Sequence, residues 1–338
     1  MEPIRWGLIA TGEIAKNMVQ ALHQSDGARV VAVASRTQAH AETFGQQWNI
    51  PSRYGSYEEL VEDPDIDVVY IATPHNLHYE NMKMCLQAGK HVLCEKAFTL
   101  NARQAEECIA IAREKQLFLM EAMWMRFFPA MRQVREWLAN RVLGEVRLVQ
   151  ADFCFNLPFD PNHRLYNPDL AGGALLDLGV YPLSFATMVL GFPQGIASHA
   201  HIGETGVDEL DTILLNYENG ASANLSCSMR VYKPREAFII GTKGYIKVHN
   251  IFFRPDRLTL HPSGQEPQVF DFPMDGNGYV YEIEEVHQCL RAGKTESHLM
   301  PLDDSLRLMA LMDELRSAWK LVYPDEENLI MERKNNAH

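Results

Sequence analysis

A carboxylate and a phenol stand four residues apart in an apolar segment, at Asp177 and Tyr181. Side chains with this spacing share one face of a helix. A tyrosine has a pKa near ~10, and a neighbouring ammonium group would favour the phenolate, so the pair could serve acid–base chemistry. A core tyrosine that is hydrogen-bonded to Asp177 is the simpler interpretation, and on these residues alone both stay open.

An ammonium group is available at Lys96, which follows the apolar run of residues 91–94. At the end of a buried strand, a lysine can hold a ribose or substrate hydroxyl and lower the pKa of a nearby acid. The alternative is a solvated surface lysine, which is the commoner case. The position after a strand favours a role in a site.

The elements that must position these groups alternate in type along the first part of the chain. Strand-like runs near residues 4–10, 28–34, 53–54, 68–72, 91–94 and 117–121 are separated by segments with helical spacing. This alternation predicts an α/β Rossmann domain with a doubly wound parallel sheet, in which ligands bind at the carboxyl ends of the strands. We expect a cofactor to contact residues that follow those ends: Ser35, Arg36, Thr37, Thr73, Pro74, His75, His78, Glu95 and Lys96.

The turn after the first strand has part of the glycine fingerprint of dinucleotide-binding folds. Gly12 holds the central position, while Ala10 and Ala15 stand where the other two glycines would be. The N-terminus of the following helix suits a pyrophosphate. An ordinary strand-to-helix turn is the alternative. On the first interpretation, the cofactor contacts Ala10, Thr11, Gly12, Glu13 and Ile14.

The end of the second strand bears on the choice of cofactor. An acidic residue about 20 positions past the fingerprint would accept the ribose hydroxyls of NAD. The residues here are Ser35, Arg36 and Thr37, and a guanidinium binds phosphate oxygens bidentately. We therefore expect NADP(H) to be preferred, with NAD(H) as a second cofactor. The alternative is a solvated Arg36 at the start of the next helix.

After about residue 145 the pattern changes to alternating runs separated by turns such as Asn219-Gly220. The runs predict an α+β domain with a large, mostly antiparallel open-faced sheet, with helices at 173–190, 279–292 and 302–322. We expect the Rossmann domain at 1–122, a connector helix at 129–140, and a substrate-binding and oligomerisation domain at 123–338. The strand-like runs are 146–155, 195–202, 211–217, 221–230, 235–240, 245–248, 258–260 and 269–272.

Composition argues against several classes of function. The 31 basic and 44 acidic residues give a net charge of −13, which disfavours nucleic-acid and anionic-membrane partners. The six cysteines lack disulfide or zinc spacing, and the histidine pairs at 75 and 78 and at 199 and 201 lack a third ligand, so we expect no metal. No signal-like or membrane-spanning run is evident, and we expect a cytoplasmic protein with frayed residues 332–338.

Three segments together resemble the Gfo/Idh/MocA oxidoreductases: Thr73-Pro74 with His78, residues 88–96 (AGKHVLCEK) and residues 172–181 (GGALLDLGVY). The resemblance covers nearly the whole chain and implies a Rossmann domain followed by an open-faced sheet domain. Residues 54–60 (YGSYEEL) and 117–130 (LFLMEAMWMRFFPA) are similar to the branch of dimeric dihydrodiol dehydrogenases and NADP-dependent D-xylose 1-dehydrogenases.

The resemblance implies roles for individual residues. Lys96, Asp177 and Tyr181 match catalytic positions, and Ser35 and Arg36 match positions that select NADP(H). Two departures matter. Ala97 replaces the proline of the family's Glu-Lys-Pro motif, which removes a restriction on φ beside Lys96. Many members carry histidine in place of Tyr181, so the tyrosine favours the branch named above. The substrate pocket is expected to include Trp124, Phe153, Asp177 and Tyr181 among aromatic residues that otherwise belong mostly to the core.

We therefore expect an NADP(H)-dependent oxidoreductase acting on a secondary alcohol or hemiacetal of a small polyhydroxy substrate, such as D-xylose or a trans-dihydrodiol. Tyr181 would take the hydroxyl proton, and Lys96 would stabilise the phenolate and position the ribose or substrate hydroxyl. Asp177 would orient the substrate hydroxyls or Lys96. The alternatives are another sugar or cyclitol dehydrogenase or an aldose or ketose reductase of the family, a glycosidase-like enzyme that retains NAD, and a cofactor-sensing binder. The exposed face of the second sheet and the family likeness predict a homodimer or a higher homo-oligomer.

Overall fold

The computed structural model of the protein describes residues 2–274, 276–324 and 326, so the expectation for residues 332–338 lies outside it. Taking only the described residues, the chain forms two compact units, Met1–Phe127 with Met274–Met309 and Phe128–Pro273 with Ala310–His338. The chain thus returns to the first unit after the second sheet. The helix expected at 129–140 lies in the second unit, within the expected 123–338 domain, whereas the helix expected at 279–292 lies in the first unit.

The strands follow the expected pattern closely. In chain order they are β1 (Ile4–Ile9), β2 (Ala28–Ala34), β3 (Ser52–Tyr54), β4 (Val68–Ile71), β5 (His91–Glu95), β6 (Leu119–Ala122), β7 (Val146–Cys154), β8 (Gly195–Ile202), β9 (Asp208–Asn216), β10 (Ser222–Ser228), β11 (Ala237–Gly241), β12 (Gly244–Val248), β13 (Arg257–Pro262) and β14 (Gln268–Asp271).

The helices are equally regular. They are α1 (Glu13–Gln24), α2 (Gln38–Gln47), α3 (Tyr57–Glu62), α4 (His78–Gln87), α5 (Ala102–Glu114), α6 (Pro129–Ala139), α7 (Val180–Leu190), α8 (Val280–Arg291) and α9 (Leu302–Trp319). Side-chain caps begin several of them: Thr37 accepts from the His40 N–H at the start of α2, and Asn101 accepts from the Gln104 N–H at the start of α5.

The first unit contains a parallel sheet in the order β3-β2-β1-β4-β5-β6. Its central strands are buried on both faces, as the apolar runs require. The apolar spacing of residues 14, 15, 18, 19 and 22 predicts the inner face of α1. The helix buries Ala15, Met18, Val19 and Leu22, whereas Ile14 is 40% exposed. The doubly wound parallel fold is confirmed, and the carboxyl ends of its strands lie along one edge of the sheet.

The second unit contains a larger sheet in the order β14-β13-β12-β11-β7-β10-β9-β8. Among the described strands of this second sheet, only β7 and β10 pair in parallel, so the predicted mostly antiparallel sheet is also confirmed. Strand β9 begins at Asp208, three residues before the predicted start, although Asp208 and Asp211 are both fully buried acids. Such residues argue against a buried strand unless their charges are satisfied.

The segment predicted as a helix over 173–190 begins with a π-helical turn, Leu175–Gly179, that continues into α7. The stretch Pro168–Leu190 is long and apolar enough to pass for a membrane span by length and composition. However, 83% of its most apolar 18-residue window is buried, which is typical of a core helix. This buried helix positions Asp177 and Tyr181.

Candidate active site

The predicted site residues fall into two groups, and each is described within its own unit. Those expected at the cofactor follow the carboxyl ends of β1, β2, β4 and β5 in the first unit, and Trp124 follows β6. The other group, in the second unit, is Phe153, Asp177 and Tyr181.

The turn between β1 and α1 has the backbone of a phosphate-binding turn. Ala10 has a φ of 88°, a conformation that glycine adopts more readily than alanine. No side chain caps α1 at Gly12, and a Cβ added to Gly12 would meet no atom within 4 Å. The first N–H groups of α1 can therefore receive an anion, and the turn fits the pyrophosphate of a dinucleotide.

The end of β2 presents one exposed cation. Ser35 is buried, and its N–H donates to the Tyr54 carbonyl at 3.1 Å. Arg36 is exposed, and its charge opposes the rise that burial causes in the pKa of Tyr57. Thr37 caps α2. Of the three residues, only Arg36 carries a charge toward solvent at this strand end, where a 2′-phosphate would need one.

His78 ties two strand ends together. Its side chain is fully buried, and its ring nitrogens lie 2.8 Å from the carbonyl oxygens of Thr73 and Ala97. Burial is the main reason that the pKa of His78 is lowered. The Thr73 hydroxyl accepts from the Asn81 side chain at 3.1 Å. The segment after β4 is thus joined to the segment that follows Lys96.

Lys96 is half-buried directly after β5. Its N–H donates to the Glu95 carboxylate at 3.3 Å, and the other oxygen of that carboxylate accepts from the Tyr70 hydroxyl. The next residue, Ala97, is fully buried, and the Lys96–Ala97 peptide is cis. The position that the family's proline would occupy is thus filled by a packed methyl group.

Buried acids lie beside this strand end. Glu121, in β6, is fully buried, and burial raises the pKa of its carboxyl to about 7. Glu282, in α8, is also fully buried, and burial together with the charge of Glu95 raises its pKa well above the usual range. Trp124 packs against Tyr279, with ring centroids 4.8 Å apart. The first unit thus holds two carboxyls with raised pKa values beside the end of β5.

Tyr181 lies in an aromatic cluster of the second unit. Its ring centroid is 5.6 Å from that of Phe153 and 4.8 Å from that of Phe253, and the two phenylalanines stack at 4.2 Å. All three side chains are buried. The phenol therefore has apolar surroundings on two sides, which suits an acid–base that must be shielded from bulk water.

Asp177 forms a bidentate ion pair with Arg164, with N–O distances of 3.0 and 3.2 Å. Asp177 is buried, whereas the Arg164 side chain is more than half exposed. The pair presents both an acceptor and donors, and such a pair can orient a substrate that carries several hydroxyl groups.

Glycines allow the segment before Tyr181 to pack tightly. A Cβ on Gly172 would lie 2.7 Å from two carbonyl oxygens, and one on Gly179 would lie 2.9 Å from the Cys227 sulfur. The Tyr323 hydroxyl donates to the Gly172 carbonyl at 2.7 Å. The N–H of Leu175 donates to the Asp208 carboxylate. The sequence segment GGALLDLGVY is therefore held by contacts from distant parts of the chain.

Sequence reasoning missed Arg164, Phe253 and Asp208. Arg164 stands 13 residues before Asp177, and Phe253 lies in the loop between β12 and β13, so no helical or strand spacing links either one to the site. Asp208 begins a strand whose first four residues include three acids, so no signal in the sequence indicates that it is buried. Among the residues that the structure describes, no group of three or more His, Cys, Asp or Glu side chains is placed to hold a metal ion.

Both units match known sequence families. The model of an oxidoreductase family with an NAD-binding Rossmann fold matches residues 4–123, and the model of the GFO/IDH/MocA C-terminal domain matches residues 131–247. The trans-1,2-dihydrobenzene-1,2-diol dehydrogenase of Mus musculus is 40% identical over 334 residues, which are 96% of this chain and 99% of the relative. The enzyme of the same name from Homo sapiens is 39% identical over the same shares.

Solved structures agree with this assignment. A 3-ketoreductase from Actinomadura kijaniata, in complex with NADP and TDP-benzene, is 31% identical with a TM-score of 0.84, over 94% of this chain and 98% of that chain. An aldose-aldose oxidoreductase from Caulobacter crescentus, complexed with glycerol, has a TM-score of 0.86 at 24% identity, over 94% and 97% of the two chains. The second likeness concerns the fold alone.

Proposed function

Because the chain belongs to the GFO/IDH/MocA oxidoreductase family and is an NAD(P)-dependent oxidoreductase acting on CH–OH groups, we propose that it uses NADP(H) to oxidise or reduce a sugar or cyclic diol. The reacting carbon is a secondary alcohol or a cyclic hemiacetal in this proposal. The observation that carries it is the buried Tyr181 phenol among aromatic rings, on the helix that also presents Asp177.

The cofactor assignment rests on the first unit. The uncapped start of α1 at Gly12 and the positive φ of Ala10 fit a pyrophosphate, and exposed Arg36 suits the 2′-phosphate of NADP. The NADP-bound structure of the ketoreductase relative supports the same choice. When bound, the nicotinamide supplies the two-electron redox chemistry of the reaction.

Three side chains receive roles at the substrate. Tyr181 accepts the hydroxyl proton in the oxidation direction and returns it in reduction. Asp177, oriented by Arg164, accepts hydrogen bonds from neighbouring substrate hydroxyls. Lys96 holds a hydroxyl of the ribose or the substrate. The stacked Phe153 and Phe253 offer an apolar face to a sugar ring or a planar diol.

A spectrophotometric screen of NADP reduction over aldoses, cyclitols and trans-dihydrodiols tests the substrate class. We expect turnover with at least one class, and Tyr181→Phe should lower kcat at least a hundredfold with little change in NADPH binding. Tyr232→Phe is the matched control, because it removes the same atom from a side chain that is 73% exposed.

Full activity of Tyr181→Phe would refute the acid–base role. Tight retention of a cofactor without net NADP reduction would instead favour the glycosidase-like alternative. Cofactor binding without any turnover would favour a sensing role. The homodimer or larger oligomer remains a prediction, which light scattering after size-exclusion chromatography tests. The cytoplasmic location also remains a prediction, which cell fractionation tests.

A further inference from the structure

A buried carboxylate lies at the start of the helical segment that carries Asp177 and Tyr181. The Asp208 side chain is fully buried, and its Oδ2 atom accepts from the Leu175 N–H at 2.5 Å. The Ala174 N–H also favours the ionised form of this carboxylate. These N–H groups belong to the first turn of the segment, where an anionic acceptor has its strongest effect.

The backbone bends around the same carboxylate. Gly173 has a φ of 116°, and a Cβ on it would overlap the Oδ1 atom of Asp208. Only glycine meets both conditions without strain. Residues 173–175 therefore wrap the Asp208 side chain, and the direction in which the helical segment leaves this point depends on that contact.

A second buried acid supports the first. Asp211 is fully buried beside Asp208, and the Cys227 thiol donates to its Oδ2 atom at 3.0 Å. Two neighbouring carboxyls in a dry site do not both ionise. Burial and the charge of Asp208 raise the pKa of Asp211 well above the usual range. Burial also raises the pKa of Asp208, but backbone N–H groups oppose that rise by favouring its ionised form. Asp211 thus carries the shared proton.

We propose that Asp208 is a positioning residue, which fixes the start of the segment 173–181 and so the location of the Tyr181 phenol and the Asp177 carboxylate. This inference rests on the function proposed above for those two side chains. Tyr181 follows Leu175 by six residues through a buried π-helical turn, so a displacement at the start is passed on to the phenol. A misplacement of about 1 Å at a reacting group can cost about a hundredfold in rate.

An isosteric pair of variants tests the proposal. Asp208→Asn replaces the charged acceptor with a weaker neutral one, and we expect kcat to fall about tenfold. Asp211→Asn can still donate to Asp208, as the protonated acid does, so its kcat should stay within about twofold of the wild type. Asp208→Ala removes the acceptor, and we expect a loss of about a hundredfold in kcat. The KM for NADPH should stay within about twofold throughout.

Hydrogen exchange measured by mass spectrometry gives a readout that does not need turnover. Amides of residues 174–181 should exchange faster in Asp208→Asn and Asp208→Ala than in the wild type. Leu215→Ala is the matched control, because it opens a cavity further along β9 and loses stability without removing a carboxylate. Its exchange in 174–181 should be unchanged.

Equal losses of kcat in Asp208→Asn and Asp211→Asn would overturn the proposal, as would unchanged exchange over 174–181 in both Asp208 variants. If Asp208→Ala does not fold, the two asparagine variants decide alone. If the wild type turns over no alcohol, the proposed function fails, whereas the exchange data still report whether Asp208 holds the segment.

Discussion

Two helix starts in this molecule are built in opposite ways. Helix α1 begins at Gly12 without a side-chain cap, with open space where a Cβ would be. The helical segment that begins near Leu175 has a buried carboxylate, Asp208, on its first N–H groups. An open start leaves its N–H groups and positive dipole end to an incoming anion, whereas a closed start uses them to hold the chain itself.

The difference separates two tasks that a dehydrogenase must perform. The open start suits the binding of a charged cofactor, because the site must be reached from solvent. The closed start suits the positioning of an acid–base, because the geometry must exist before any ligand arrives. Substitutions at the two glycines, Gly12 and Gly173, should therefore damage different properties.

Gly173→Ala should have the largest effect. The φ of 116° at this position is strained for alanine, and the added methyl group would overlap Asp208. We therefore expect the free energy of unfolding to fall by about 4 kcal/mol. Urea denaturation measures this loss. Gly195→Ala is the control, because a Cβ there meets no atom within 4 Å. If Gly173→Ala lowered the free energy of unfolding by less than about 1 kcal/mol, the contact between residue 173 and Asp208 would not be a tight one.

Glu121→Gln tests a buried acid that begins no helix. The native pKa of Glu121, about 7, exceeds the unfolded value of about 4.3, so the native state binds the proton more tightly. Its contribution to stability is therefore complete below pH ~4.3 and is lost as pH rises toward and beyond 7. Relative to the wild type, the variant should gain about 3 kcal/mol between pH 4 and pH 8.

Urea denaturation at a series of pH values measures this gain. Glu58→Gln, on the exposed face of α3, is the control and should show no such trend. A pH-independent difference between Glu121→Gln and the wild type would show that the pKa of Glu121 is the same in the native and unfolded states, so that burial does not raise it.

The succession of strands and helices along the chain was predictable, and so were the buried faces of the helices, because both depend on local periodicity. The apolar spacing of residues 14–22 identifies the inner face of α1, with Ile14 as the one exposed member among those five apolar residues. The early start of β9 was not predictable, because the cost of burying Asp208 is met by N–H groups 33 residues away in sequence. The positive φ of Ala10 was also not predictable, because alanine rarely adopts that conformation.

In the candidate site, too, residues placed by local sequence pattern were predictable and residues placed by tertiary contacts were not. Lys96 and Arg36 were found because each follows a strand whose end is a known place for ligands. Arg164 and Phe253 reach Asp177 and Tyr181 only through tertiary contacts. The roles of all these residues remain predictions. Two further variants, at Arg36 and at Gly12, test the residues expected to bind the cofactor.

Arg36→Ala should weaken NADPH binding ten- to a hundredfold and change NADH binding by less than twofold, because only NADPH carries the 2′-phosphate. Fluorescence titration of the two cofactors measures both dissociation constants. Arg29→Ala is the matched control, since it removes an exposed arginine from the same strand, β2. Equal weakening of both cofactors at Arg36 would remove it from the selection of NADP(H).

Gly12→Asp should have the smallest effect on stability and convert the open start into a closed one. Gly12 has the extended backbone of an N-cap residue, with φ of −76° and ψ of −174°. A carboxylate there can cap α1 and complement its dipole, which should add about 0.5 kcal/mol to the free energy of unfolding. The same charge should repel a pyrophosphate and weaken NADPH binding about tenfold.

Gly12→Asn caps without a charge, so it separates capping from repulsion. If Gly12→Asp left NADPH binding unchanged, the pyrophosphate would not lie at this helix start. The uncapped start of α1 would then have no role in binding the cofactor.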